Sequence, residues 1–375
     1  MLIVGGVAAS LLTFRGDFIQ ALLAGGAAVH AATSDLLPES AVGQTLLRWG
    51  AVPHAVPLAR TGQNPARDVQ TALALYRLCR RLRPSHVLAY TVKPVIYGMP
   101  AARLAGASRT TALITGLGYA FTPDHHSPRQ RFVGAVVQTL YRGALRAVDR
   151  VVFQNPDDLE LFVSLGLVDR ARSRVIGGSG INLTSFPLTP LPPLDGELHF
   201  LLIGRLIAHK GIYEFVEAAR RVRAREPRAR FHLVGMHDEN PSAIAPADLE
   251  RWIAEGVVTY HGALSDVRPM IARAHVYVLP SYREGVPRTV LEAMAMGRPI
   301  LTTDAPGCRQ TVEEGKNGYL VPVRDAGALA EAMLRLIAAP EQLARLGAAS
   351  RKRAEQLYDV KQVNRCLMSY MGLEP

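Results

Sequence analysis

The chain has 375 residues, 49% of them hydrophobic, and carries 43 Lys and Arg against 32 Asp and Glu, a formal net charge of +11. That length is too great for one ordinary core and predicts two domains, with apolar content enough to bury both. The positive excess points to an anionic partner, whether nucleic acid, a phosphorylated ligand or an acidic membrane surface, and is silent about fold.

The first run, "MLIVGGVAASLLTF", is apolar but has no basic segment ahead of it and is ended by Arg15 and Asp17, which argues against a signal peptide. No run reaches the roughly 18 apolar residues of a membrane span. Three scattered cysteines, Cys79, Cys308 and Cys366, form neither a metal spacing nor a disulfide framework, so a reducing cytosol is expected.

Beyond the first run, short apolar stretches alternate with amphipathic helical ones, the pattern of parallel α/β units. Strands are predicted at "LIVGG", "AAVHAA", "SHVLAY", "TALIT", "RVVFQN" and "RVIGG" in the first half. In the second half they fall at "HFLLIGR", "ARFHLVG", "VVTYHG", "HVYVLPS", "RPILTTD" and "GYLVP". Between the halves, "FPLTPLPPLDGE" (186–197) holds four prolines and reads as a stiff linker. The expected organisation is a Rossmann-like domain over 1–185, the linker, a second Rossmann-like domain over 198–352, and a terminal helix within 353–375 packing back on the first domain. Two such domains leave a cleft at the carboxyl ends of their strands, where ligands of doubly wound folds sit.

The second half opens with "FLLIGRLIAHKG" and then a helix whose Ile212, Phe215, Val216, Ala219 and Val222 share one face. Gly204 ends the strand, and Arg205 and Lys210 follow in the loop before the helix, a pairing suited to a phosphate or diphosphate. Taken alone, it is equally the pattern of ordinary surface cations.

Downstream, "HVYVLPSYREGVPRTVLEAMAMG" predicts a strand, a loop, and a helix starting at Pro287 or Thr289. The amides of Val286, Arg288, Thr289 and Val290 are then candidate anion donors. Glu284 precedes the helix and Glu292 lies a turn inside it. Two carboxylates flanking an anion site make sense as acceptors for hydroxyls at the two ends of one ligand, the layout of a sugar nucleotide. The alternative is a solvated loop Glu284 and a Glu292 stabilised by the helix dipole.

With these residues in place the chain resembles the retaining glycosyltransferases of family 4, which have the GT-B fold of two Rossmann-like domains facing across a cleft. The resemblance rests on "EGVPRTVLE" downstream of "GRLIAHKG". Segments 90–122, 149–168, 175–183 and 302–325 extend it to a bacterial subgroup that builds surface polysaccharides and lipid-linked oligosaccharides, including N-acetylgalactosaminyltransferases acting on undecaprenyl-diphosphate-linked sugars.

The resemblance implies that Arg205 and Lys210 hold the donor diphosphate, Glu292 the ribose and Glu284 the transferred sugar. Gly285, Val286, Pro287 and Arg288 would line the sugar and phosphates. It further implies a UDP-sugar donor, carrying an N-acetylhexosamine in this subgroup, and a polyprenyl-diphosphate-linked acceptor. No cofactor and no metal are expected, and "DHH" (124–126) reads as a polar loop. On the acceptor side, Gly116 and Gly118 allow close backbone approach, and Lys93, His125 and His126 are candidate contacts.

Basic clusters at 77–83, 129–131 and 141–150 point to peripheral attachment at an anionic membrane surface on the cytoplasmic face. At 220–230 a solvated helix face is the expectation. Nothing resembles a nucleic-acid motif, and aromatics are only 6%. Two departures from the family pattern stand out: the first loop, "GGVAASLLTFRG", has no basic residue before Arg15, and Asn182 stands where the family often has Asp. The alternatives to transfer are epimerisation of a UDP-sugar on the same fold and a non-catalytic sugar-nucleotide-binding protein.

Overall fold

The computed structural model describes residues 1–58, 65–117, 128–238 and 242–373. The chain forms two units, Met1–Ser179 together with Lys361–Pro375, and Gly180–Val360.

In the first unit, Val, Ile and Leu runs too short for helices become strands. In chain order the elements are β1 (Leu2–Val4), α1 (Ala8–Ala24), β2 (His30–Thr33), α2 (Ala41–Trp49), β3 (Val52–Ala55), α3 (Pro65–Leu82), β4 (His86–Tyr90), α4 (Met99–Leu104), β5 (Arg109–Ile114), α5 (Pro128–Arg146), β6 (Arg150–Phe153), α6 (Pro156–Ser164) and β7 (Ser173–Val175). The sheet order is β3-β2-β1-β4-β5-β6-β7, parallel throughout. The order reverses beside β1, the switch point of a doubly wound sheet.

Alternation along β1 sends Leu2 and Val4 into one core cluster and Ile3 into another, so helices cover both faces. Strand β3 was not among the expected strands. Its "VPHA" contains Pro53 and is only partly buried, which a sheet tolerates at its edge, where β3 lies.

The second unit runs β8 (Leu198–Ile203), α7 (Ile212–Arg225), β9 (Ala229–Val234), α8 (Pro246–Ala254), β10 (Thr259–Tyr260), α9 (Arg268–Arg273), β11 (Val276–Leu279), α10 (Arg288–Ala295), β12 (Ile300–Thr303), β13 (Gly318–Val321), α11 (Ala326–Ala338) and α12 (Gln342–Arg353). Its parallel sheet has the order β10-β9-β8-β11-β12-β13, the same winding as the first six strands of the other unit. The expected face of α7 is the buried one, Ile212, Phe215, Val216, Ala219 and Val222 among it.

The chain leaves the first unit after Ser179 and returns at Lys361. The proline-rich stretch 186–197 therefore lies inside the second unit. There the fully buried Arg298 donates to the Thr189 carbonyl (2.6 Å), the Thr189 hydroxyl (2.6 Å) and the Pro190 carbonyl (2.8 Å). It also donates to the Ala274 and Met296 carbonyls, both at 3.1 Å. The last helix, α13 (Val360–Met371), places Val363, Leu367, Met368 and Met371 in the core cluster of the first unit with Ile3, Leu88 and Leu113. Its apolar residues recur at 3.6-residue spacing, and burying each is worth about 1.5–3 kcal/mol.

Candidate active site

β8 and β11 are neighbours, so the loops leaving their carboxyl ends run side by side. The first loop carries Gly204, Arg205 and Lys210 through a short 3-10 turn at Ala208–Lys210. Gly211 then turns the chain into α7 with φ +71°, and a side chain there would place its Cβ 2.1 Å from the Pro280 carbonyl oxygen. Only glycine meets both demands. The crossing is pinned by the Tyr282 amide, which donates to the His209 carbonyl at 2.9 Å.

The second loop carries Glu284 and Gly285, and its helix α10 begins at Arg288 with Pro287 as the extended cap. A third strand end supports it. The Glu284 amide donates to the Pro306 carbonyl at 2.9 Å, and Gly307, at φ +80°, leaves room for the Glu284 and Gly285 carbonyls.

Each candidate charge has a partner of opposite sign. Lys210 Nζ donates to Glu284 Oε1, with both side chains mostly buried. The stem of Lys210 lies over Gly204, in ordinary van der Waals contact. Arg205 Nη1 donates to Asp238 Oδ2 at 2.7 Å, its own side chain 47% exposed. Arg288 Nε donates to Glu292 Oε1 at 3.2 Å, a turn away on the same helix. Glu292 is buried, which pushes its carboxyl pKa up, and the neighbouring Arg288 guanidinium pulls against that shift.

The structure thus brings Lys210 to Glu284 directly and gives Glu292 a cation of its own. One expectation is corrected. The Val290 amide is not open to an anion, because helix formation from Arg288 turns it onto the Pro287 carbonyl at 3.1 Å. The Thr289 amide has no acceptor among the described residues, and the Thr289 side chain reaches the buried Tyr277 hydroxyl.

Several participants went unforeseen. The Tyr282 hydroxyl donates to Glu214 Oε1 at 2.7 Å, and the Arg324 guanidinium stacks 4.6 Å above the Tyr282 ring. Burial pushes the Tyr282 hydroxyl pKa up, a direction its hydrogen bond to Glu214 shares. His209 Nδ1 and the Ser242 hydroxyl share a hydrogen bond at 3.0 Å. Asp238 carried no sequence signal, since an acid after a strand is commonplace and only the fold places it beside Arg205.

Two family descriptions match the chain, "Glycosyl transferase 4-like" over residues 4–155 and "Glycosyl transferases group 1" over residues 197–339. A Campylobacter jejuni N,N'-diacetylbacillosaminyl-diphospho-undecaprenol alpha-1,3-N-acetylgalactosaminyltransferase is 30% identical over 340 residues, spanning 88% of this chain and 87% of its own. The chain belongs to the group 1 glycosyltransferases. An Escherichia coli UDP-Gal:alpha-D-GlcNAc-diphosphoundecaprenol alpha-1,3-galactosyltransferase is 26% identical over 289 residues, 72% of this chain and 70% of that one. Sucrose-phosphate synthase from Thermosynechococcus elongatus superposes with a TM-score of 0.79 at 20% identity, covering 98% of this chain and 97% of the other. The fold of this glycosyltransferase is therefore GT-B, built from two Rossmann-like units.

In the first unit of the glycosyltransferase, Lys93 Nζ donates to Asp68 Oδ1 at 2.9 Å, and the Tyr97 hydroxyl donates to the other oxygen of Asp68 at 2.8 Å. Gly116 follows β5 at φ +142°. Gly118, His125 and His126 lie outside the described residues. At the start of α1 the Ala8 amide donates to Asp35 Oδ1 at 2.9 Å, so a carboxylate of the protein occupies that helix end. Asn182 accepts the amides of Thr184 and Ser185, each at 3.1 Å, and caps its own turn. Among the described residues no cluster of His, Cys, Asp and Glu is arranged to hold a metal ion, and no helix is long and apolar enough to cross a membrane.

Proposed function

We propose that the chain transfers a sugar, an N-acetylhexosamine, from a UDP-sugar to a saccharide carried on a polyprenyl diphosphate, with retention of anomeric configuration and without a metal ion. The observation that carries the reading is the meeting of Lys210 with Glu284 where the β8–α7 and β11–α10 loops run together, with the buried Glu292 a turn inside α10. The undecaprenyl-diphosphate acceptors named for two relatives support the acceptor class, and the UDP-galactose named for one supports the donor nucleotide.

In this reading Lys210 and Arg205 take the diphosphate, exchanging carboxylate partners for phosphate oxygens. The Arg205 side chain is half-exposed while Asp238, like Lys210 and Glu284, is mostly buried, and in each exchange one anion replaces another on the cation. Glu292 accepts from the ribose hydroxyls and Glu284 from the sugar. Gly285, Val286, Pro287, Arg288 and Thr289 line the sugar and phosphates.

The acceptor hydroxyl attacks the anomeric carbon on the face the diphosphate leaves. The new C–O bond forms as the sugar–phosphate bond breaks, and the hydroxyl proton passes to a leaving phosphate oxygen. The two cations stabilise the charge that develops there, and the loops supply orientation. Their roles are those of metal ions in other transferases, which is the support for metal independence.

Acceptor contacts fall to the first unit, where Lys93 and the backbone at Gly116 are the candidates among described residues. Attachment to the cytoplasmic face of the membrane through basic surface follows from the acceptor's anchor. It is checked by cosedimentation with anionic vesicles at low salt, where failure to bind refutes it.

The deciding experiment incubates the protein with radiolabelled UDP-sugars and a polyprenyl-diphosphate-linked acceptor, with and without chelator. Label in the lipid fraction, chelator-resistant and α-linked, supports every part of the reading. Isomerised UDP-sugar, or binding without turnover, replaces it with an epimerase or a binding protein. Lys210→Ala is expected to lower transfer about a hundredfold or more with the circular dichroism unchanged; an active variant refutes its role.

A further inference from the structure

We propose that Arg288 is a positioning residue that keeps the Glu292 carboxylate ionised and aimed at the donor. The inference rests on the assignment of Glu292 to the ribose hydroxyls. The two residues stand one turn apart at the start of α10, and Arg288 Nε donates to Glu292 Oε1 at 3.2 Å.

Burial sets this pair, like Lys210–Glu284, apart from the exposed charge pairs of the unit. The side chains are 14% and 11% exposed, whereas the i,i+3 pair of Lys316 and Glu313 stands at 63% and 52%. An exposed pair is screened and holds neither partner in place. A buried carboxylate is driven toward its neutral form unless a cation stays beside it. Glu292 lies on a helix otherwise buried through Val290, Leu291 and Ala293, and Arg288 is the charge acting on it.

The elements packed against α10 bring other titratable groups; the buried Tyr277 hydroxyl feels the Glu292 charge and meets Thr289, while Arg288 is the cation acting on Glu292. Tyr277 on β11 donates to the Ile203 carbonyl at 3.1 Å. Arg351 on α12 donates to the Ala295 and Phe186 carbonyls and to Glu355. Tyr358, in the turn after α12, donates to the Gln310 carbonyl at 2.7 Å.

Arg288 therefore does two things. Its bond to Oε1 fixes the carboxylate rotamer, and no hydrogen bond from the described residues reaches Oε2, which is left to accept from a ligand hydroxyl. Its charge keeps both oxygens acceptors near neutral pH. A neutral Glu292 carries a proton on one oxygen and loses one of the acceptors a vicinal diol needs. The Arg288 guanidinium is itself steadied by the Gly180 carbonyl, 3.5 Å from Nη1.

The sign follows from linkage. Binding that needs ionised Glu292 is complete above the pKa of that group and fades as pH falls through it. Removing the cation raises the pKa, so the acid limb moves to higher pH.

The test is UDP affinity by titration calorimetry between about pH 5 and 8. It compares the wild type with R288M, R288Q, R288K and E292Q, each first checked for native circular dichroism. E292Q should bind UDP about 10- to 100-fold more weakly near neutral pH, the loss of charge-assisted hydrogen bonds. Its residual pH dependence reports the ionisation of UDP alone. R288M and R288Q lose a residue of the donor lining and should bind more weakly at every pH, and the mark of the lost positioning role is an acid limb displaced upward by about one pH unit or more. R288K, which keeps the charge, should restore most of the limb.

If E292Q binds UDP like the wild type, the ribose assignment fails and the inference with it. If E292Q is weakened but the acid limb of R288M and R288Q stays where it was, Glu292 keeps its role and Arg288 loses the one proposed here. Should R288M prove unfolded, R288Q and R288K carry the comparison.

Discussion

Gly307 lies outside the donor loops and borders the backbone of Glu284, and its replacement by alanine is expected to disable the enzyme. At φ +80° an alanine costs about 1–2 kcal/mol in backbone energy alone. The steric demand is larger. The new Cβ would stand 2.2 Å from the Glu284 carbonyl oxygen and 2.5 Å from that of Gly285, and to reach even 3.0 Å the Glu284 carbonyl must retreat by about 0.8 Å. That backbone carries the Glu284 side chain bonded to Lys210 and leads directly into the start of α10.

A displacement of about 1 Å at a reacting centre is worth about a hundredfold in rate. Gly307→Ala should therefore lower kcat/KM for transfer about a hundredfold and lower the melting temperature by more than the few degrees that about 1–2 kcal/mol costs in so large a chain. Initial-rate kinetics with UDP-sugar, read beside calorimetric melting, checks it. Transfer within threefold of wild type would show that the β12 loop does not set the position of Glu284, and the geometric reasoning would be wrong.

Other outcomes follow from the same structure. Asp238→Asn removes the carboxylate that competes with a diphosphate for Arg205, and UDP should bind several-fold more tightly at low salt, the gain shrinking with ionic strength. Arg298→Met removes the donor shared by four carbonyls and a hydroxyl inside the second unit, of which the Met296 carbonyl and the Thr189 hydroxyl still have each other. It should cost about 3–5 kcal/mol, read as a lowered urea midpoint of the transition reporting on that unit. A row of histidines crosses the second sheet: the His199 amide donates to His275 Nδ1 at 3.1 Å, and ring nitrogens meet at 2.8 Å between His199 and His232 and at 3.0 Å between His232 and His261. Burial first, and then the neighbouring histidines with Arg273 and Arg230, lower the His232 pKa to about 4. The folded state prefers the neutral ring, so stability is complete above about pH 6.5 and is lost as pH falls from there toward 4. His232→Asn should flatten that loss in melting curves taken across the range; an unchanged slope would clear the row of the effect.

Much of this architecture was legible because parallel strands buried on both faces are written as continuous Val, Ile and Leu runs. All six expected strands of the second half appear, and the periodicity of Ile212, Phe215 and Val222 marked the buried face of α7 correctly. β3 was hidden because an edge strand needs neither full burial nor an uninterrupted donor ladder, and Pro53 masks it. The candidate cations and carboxylates were visible by type, but not who pairs with whom. The Lys210–Glu284 contact joins residues 74 apart, and Arg205–Asp238 joins residues 33 apart on different strand ends. Such pairings are fixed by strand order, which local pattern does not carry. Val290 misled for a related reason: the amide exposed at a helix start depends on which residue caps it, and a one-residue difference in the cap changes the donor set.

The return of α13 to the first unit has a bearing on how the chain is made. Val363, Leu367, Met368 and Met371 complete a cluster whose other members begin at Met1, and the whole of Gly180–Val360 lies between them. During synthesis at about 5–20 residues per second, the first unit waits roughly 10–35 s for its last helix, with Leu88- and Ile3-side apolar surface uncovered meanwhile. The second unit, continuous in sequence, has no such wait. The nascent protein is thus exposed to aggregation and proteolysis through its first unit until α13 has been made.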